Sequence, residues 1–232
     1  GWQEKIHGRD LVYFGERHEQ PAILDAQVTM LEYWSQTVRT PALVLEIFTK
    51  DQQFILDRWK SEAPDVLQQL YLDSGGDFEL SHYLPLLDAA TAAGVRLVAG
   101  FPTREAARRI IQDPASEEVS KMARLHQALG PAIEDHFRLF AALIAGAAPV
   151  SEGPLPQRGR RIFPAQCWKD LECAKVVAAL LPSHSSLVVT GCGHTDFALG
   201  IPCRVRALAE PVTEVIVTCR EQGEEVIKSF GR

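Results

Sequence analysis

Two spacings of apolar residues alternate along this chain. Short unbroken runs at Leu11–Phe14, Leu43–Phe48, Val95–Ala99 and Ser186–Thr190 are rich in branched and aromatic residues. They are too short for helices and lack the alternation of a half-exposed strand, so they predict strands buried on both faces. Thr213–Cys219 predicts a last strand, and the residues around Arg204–Leu208 predict another extended piece. Between the runs the spacing changes to that of helices. Pro21 stands where proline is favoured, at a first helical position, and Leu24, Val28, Leu31 and Trp34 follow through about Thr37. The pattern is helical from Asp51, a plausible N-cap, to about Thr91, broken by a turn at Ser74–Asp77; its last helix runs from Ser81 to Ala93, with Gly94 behind it. Thr103 can cap a helix that begins near Glu105. Two helices split at Gly130-Pro131 fill Ser116 to Ala148, an exposed loop follows to Arg161, and a helix runs from about Ala165 to Leu181.

Strands alternating with helices predict an α/β fold with a mostly parallel central sheet flanked by helices. The chain's 232 residues suit one domain. The helical stretches at about 51–93 and 116–148 exceed what crossovers need, so they are expected to form a helical cap over the carboxyl edge of the strands.

Composition narrows the function classes. With 46% hydrophobic and 23% charged residues, the chain can bury a sizeable core, and its composition argues against disorder. A formal charge of -6, with no basic run interleaved with aromatics, argues against nucleic acid as partner. No apolar run approaches the ~20 residues of a membrane span. The five cysteines, Cys167, Cys173, Cys192, Cys203 and Cys219, are odd in number and lack CxxC spacing, so neither a disulfide framework nor a zinc knuckle is expected.

Candidate chemistry follows from position. Glu16 and His18 come just after the first strand, and Glu46 lies at the end of the second. Arg104 follows the third, and His194 follows the fourth within Gly191-Cys192-Gly193-His194. In an open parallel sheet these points share the carboxyl edge, where ligands bind. Two histidines and two carboxylates can hold a divalent metal, with His18 and His194 as ligands, or serve as an acid/base set. Arg104 can fix an anionic group bidentately. Each also has a bland reading: Glu46 paired with Arg17 or Arg104, His18 and His194 as turn residues. His82 and Tyr83 open a helix that could face the site from above; His126 and His136 read as helix residues at a core edge or in solvent.

Gly15-Glu16-Arg17-His18, Leu45-Glu46-Ile47-Phe48 and Gly191-Cys192-Gly193-His194 with Gly200-Ile201-Pro202 together resemble the ChaN-like haem-binding family, part of a wider set with Tiki-type and TraB-type proteins and erythromycin esterases. His82-Tyr83-Leu84-Pro85, Val98 to Arg104 and Ala165 to Ala174 fit the same pattern, so the resemblance spans roughly Leu11 to Arg206. It implies an α/β core with a pocket built from the GExH turn, the strand-two Glu and the GxGH turn. The implied ligand is haem or a related tetrapyrrole, in some members two stacked haems in a homodimer with tyrosine ligation. Glu16, His18, Glu46, Arg104 and His194 would line the pocket, and Tyr83 is the one tyrosine beside the cap motif. The esterase-like relatives imply the alternative of a Glu/His hydrolase, with or without a divalent metal, that uses Glu16, Glu46 and His194. Gly100 stands where the family often has Asn, and Cys173 where it often has Met. Members occur as bacterial envelope lipoproteins and as organelle proteins, plastids included; a chain starting at Gly1 fits one whose targeting segment has been removed.

Overall fold

A computed structural model describes residues 1–113, 115–147, 154–157, 159–210 and 212–219. In chain order its elements are α1 (Trp2–Ile6), β1 (Leu11–Glu16), α2 (Pro21–Ser35), β2 (Pro41–Thr49), α3 (Gln53–Asp57), α4 (Pro64–Asp73), α5 (Leu80–Ala92), β3 (Arg96–Phe101), α6 (Arg104–Gln112), α7 (Glu117–Leu129), α8 (Ala132–Ala145), α9 (Phe163–Leu180), β4 (Ser185–Gly191), α10 (Ile201–Leu208) and β5 (Glu214–Thr218). The strands form one parallel sheet in the order β3-β2-β4-β1-β5. All four apolar runs are strands, each within a few residues of its expected bounds.

The register explains why those runs carry no polar alternation. Val12 and Phe14 of β1, Leu43 and Leu45 of β2 and Leu187 and Val189 of β4 pack on one face against Trp34 of α2 and Tyr83 and Leu87 of α5. Leu11, Tyr13, Val44 and Val188 face the other way, onto Cys173, Ala174 and Val177 of α9 and Val205 of α10. With helices on both faces the inner residues of β1, β2 and β4 meet a core on either side, and burying each Leu, Val or Phe contributes about 1.5–3 kcal/mol. Among the described residues no helix is long and apolar enough to cross a membrane.

Two sequence expectations need correction. The expected extended piece at Arg204–Leu208 is helix α10, led by Pro202 in its first turn; Ile201 and Val205, one helical turn apart, face the core. Asp51 lies inside a short 3-10 turn, Lys50–Gln52, whose N-cap is Thr49. The N-terminal helix α1 had no apolar stripe to announce it. The two segments expected as a cap pack in different places. A separate apolar cluster joins Met122 of α7 and Phe137 and Phe140 of α8 to Phe163 and Cys167 of α9, and α8 lies over the turn that holds His194. The helices of 51–93 pack on a sheet face, and α5 reaches the carboxyl edge through its N-terminal end. Half of the loop expected from Ala148 to Arg161 falls outside the described residues.

Candidate functional site

The site is built where β1, β4 and β2 end side by side. Glu16 closes β1 and is buried, so its charge needs compensation where it sits. Gln27 of α2 donates to Oε2. The Tyr83 hydroxyl donates to Oε1 over 2.8 Å, and His18 Nδ1 lies 2.7 Å from the same oxygen. Burial first, and then the Glu16 charge, hold the Tyr83 phenol far above its usual range. Glu19 has φ 61°, a left-handed turn rare for a side chain of that size. Its carboxylate accepts the Glu79 N–H over 2.8 Å, which ties the turn to the start of α5.

Strand β4 lies between β1 and β2, so its end meets both carboxylates. The Gly191 N–H donates to Glu46 Oε2 over 2.6 Å. A Cβ on Gly191 would stand 2.9 Å from His18 Nε2, so only glycine lets the imidazole approach the backbone here. Beyond Gly191 the chain turns into a 3-10 segment, Cys192–His194. His194 Nε2 then sits 3.2 Å from Glu46 Oε1, and its Nδ1 sits 2.5 Å from Asp170 Oδ1 on α9. Gln166, one turn earlier on α9, approaches the same Nδ1 at 3.0 Å, and Phe101 packs edge-on against the ring.

Behind Asp170 the polar network continues into the core. Asp170 Oδ2 is 3.4 Å from His136 Nε2 and 3.8 Å from Arg204 Nη1, and all three side chains are fully buried. Arg204 Nη2 reaches His126 Nε2 at 3.1 Å. Burial and the Arg204 charge hold His126 near 4, while burial, against the pull of Asp170, holds His136 near 3; both are neutral at pH 7.

The front of the network is charged. Burial alone would lower His194, but Glu46 and Asp170 on either side raise it to about 10. Burial alone would raise Glu46; the His194 charge and hydrogen bond lower it to about 2. In His18 the same contest ends in a raised value, because the Glu16 hydrogen bond and the Glu46 and Glu16 charges outweigh burial. The site therefore holds an ionised Glu46 and an imidazolium at His194.

Five of the six sequence candidates, Glu16, His18, Glu46, Tyr83 and His194, come together. Tyr83 is buried with its oxygen on Glu16 rather than on open space. Arg104, 42% exposed, pairs with Asp77 at the rim of a cleft of about 110 Å³ over Glu46, walled by Phe78, Phe101 and Lys169. Glu46 takes Gly191 and His194 as partners, not Arg104. A larger groove of about 440 Å³ adjoins the cleft through Asp77, Arg104 and Lys169. It runs between α6, α8 and α9, with Arg108 beside those cations and Ile111, Phe140, Ile144 and Ile162 as apolar wall.

The sequence reading missed Gln27, His136, Gln166, Asp170 and Arg204. Asp170 left a signal, a lone carboxylate amid Cys167, Leu171, Cys173 and Ala174 on a buried face. His136 falls among the apolar series Ile133, Phe137 and Phe140 in the same way. Arg204 was hidden by the misread helix. Among the described residues no group of three or more His, Cys, Asp or Glu is arranged to hold a metal ion, and both ring nitrogens of His194 face carboxylates. The divalent-metal expectation has no support in this geometry. All five cysteines are free thiols.

Comparison with known proteins gives a consistent picture. The profile of the family described as haem-binding uptake, Tiki superfamily, ChaN matches residues 2–205. Among solved structures, that of cofacial heme binding to ChaN of Campylobacter jejuni superposes with a TM-score of 0.71 at 15% identity, covering 99% of this chain and 88% of that one. At that identity the likeness shows the fold. No curated protein sequence matches the chain.

Proposed function

Since this chain belongs to the haem-binding uptake family of the Tiki superfamily, ChaN, we propose that it binds haem at the carboxyl edge of its sheet and serves haem or iron handling. Haem, when bound, supplies iron in a flat apolar ring edged by two carboxylates. The observation that carries the proposal is the groove of about 440 Å³ that adjoins the cleft over Glu46. Its apolar side chains suit the face of such a ring, and Arg104, Arg108 and Lys169 suit the carboxylates. Arg104 already holds a carboxylate, that of Asp77. Glu16, His18, Glu46 and His194 form the polar end of the same edge, and Tyr83 holds Glu16 in place from beneath. The test is titration of the purified chain with ferric haem. A saturable Soret band is expected; a colourless protein with no Soret change would end the proposal. A second copy of the chain as partner rests on family membership alone, and light scattering with and without haem reads it out.

The hydrolase alternative fits the electrostatics less well. A general base works best with a pKa near the operating pH. Glu46, at about 2, is too weak a base, and His194, at about 10, has no free nitrogen to accept a proton.

A further inference from the structure

We propose that α7 and α8 form an acid-released cap on the groove: protonation of His126 and His136, which stand against the buried Asp170–Arg204 pair, frees the cap and lets the groove's ligand go. The release of haem in particular rests on the haem-binding proposal; the opening of the cap does not.

The buried network is divided between two parts of the chain. Asp170 and Arg204 belong to α9 and α10, which pack on the sheet through Cys173, Ala174, Val177, Ile201 and Val205. Both histidines belong to α7 and α8, which are held by the smaller cluster of Met122, Phe137 and Phe140 on Phe163 and Cys167, and by Leu139 on Leu199. The contact between the parts is therefore partly polar. His126 Nε2 lies 3.1 Å from Arg204 Nη2, so its lone pair accepts the guanidinium N–H, and a proton there would set donor against donor. His136 is fully buried, 3.4 Å from Asp170 Oδ2. The charges of this network already balance, Glu46 and Asp170 against His194 and Arg204, so a proton on His136 is an unbalanced buried charge. Of the charged groups around His136, Asp170 attracts a proton while Arg204 and His194 repel it; His126 faces Arg204 and, more weakly, Asp170. Burial is the largest cause for both, and it holds them near 3 and 4, whereas an open cap returns them toward 6.5. The closed cap thus binds fewer protons than the open one, and its stability is lost as pH falls below 6.5. Glu46, Asp170 and His194 keep their charges between pH 7 and pH 5. Over that interval the two histidines should raise opening about 100- to 1000-fold. Helix α8 also supplies Phe140 and Ile144 to the groove, so its departure removes one wall.

The test labels the thiols of the full chain with dithiodipyridine, which reacts at acid as well as neutral pH. Labelled sites are mapped by peptide mass spectrometry, and rates are referred to the urea-unfolded chain. Cys167 and Cys173 are both fully buried on α9, but Cys167 lies beneath the cap and Cys173 against the sheet. From pH 7 to pH 5 Cys167 should gain about 100-fold or more in exposure while Cys173 stays protected. The gain should disappear in the double variant His126→Gln, His136→Gln, with circular dichroism to confirm folding. If that variant does not fold, His126→Gln alone should cut the gain by about tenfold or more. Equal exposure of Cys167 at both pH values, joint exposure of Cys167 and Cys173, or a gain that survives the substitutions overturns the cap. Haem-loaded wild type should lose haem at pH 5 faster than the variant; equal loss overturns the release. A wild type that takes up no haem at pH 7 yet shows the Cys167 response overturns the haem reading and supports the acid-opened cap.

Discussion

Glu46 and His194 face each other across 3.2 Å at the carboxyl edge, the one ionised and the other doubly protonated. Neither group is at rest alone. Asp170 supports the imidazolium from behind, and the Gly191 N–H supports the carboxylate from the side.

Asp170→Asn should therefore be among the most destabilising single changes in the chain. It removes a fully buried charge on which His194 and Arg204 both depend, and breaking a buried pair from one side costs about 3–5 kcal/mol. Urea unfolding measures this, and a loss below about 1 kcal/mol would contradict it.

Stability should fall on both sides of the ordinary histidine value of 6.5. His194 is raised to about 10, so its contribution is complete below 6.5 and disappears as pH rises through 10. Glu46 is lowered to about 2, so its contribution is complete above 4.5 and is lost as pH falls toward 2. His136, held near 3 by burial, adds a loss as pH drops below 6.5, where the unfolded chain takes up a proton and the folded one does not. Thermal midpoints across this range are the check; a flat profile from 6.5 to 10 would mean that His194 is not an imidazolium.

Tyr83→Phe should leave the haem spectrum unchanged and reduce stability by about 1–2 kcal/mol through the lost bond to Glu16. A changed Soret band in this variant would show that Tyr83 leaves Glu16 to ligate iron.

Charge reversal at Arg108 or Lys169 should weaken haem binding about tenfold per site, more at low salt. Haem dimethyl ester, which lacks the carboxylate charges, should bind the variants and wild type alike. Equal losses for haem and its ester would remove these cations from the proposal.

Restoring the asparagine common in the family, by Gly100→Asn, should destabilise by about 1–3 kcal/mol. A Cβ there would lie 2.7 Å from Val44 Cγ1 and 3.2 Å from the Leu45 carbonyl, so the strand must shift to admit it. A stable variant, judged by its urea midpoint, would show that β2 and β3 yield more easily than their packing suggests.

Much of this was legible in the sequence. Unbroken apolar runs such as Leu43–Phe48 identify strands covered on both faces, and glycine followed by a charged residue marks where Glu16, His18 and His194 leave the sheet. That reading placed those residues, with Glu46, on one edge. Local pattern was less informative where helices lack a stripe or caps mislead, as in α1 and α10.

The sequence by itself determined the fold class and the edge on which the polar residues gather, because strand length, burial and chain direction are local properties. Only the tertiary structure decided which of them meet. Strand β4 pairs between β1 and β2 through contacts distant in sequence, and that order sets Gly191 and His194 between Glu16 and Glu46. The burial of Asp170 and Arg204 beneath them is likewise set by how α9 and α10 pack on the sheet. Protonation follows from that packing: His194, between two buried carboxylates, holds both protons.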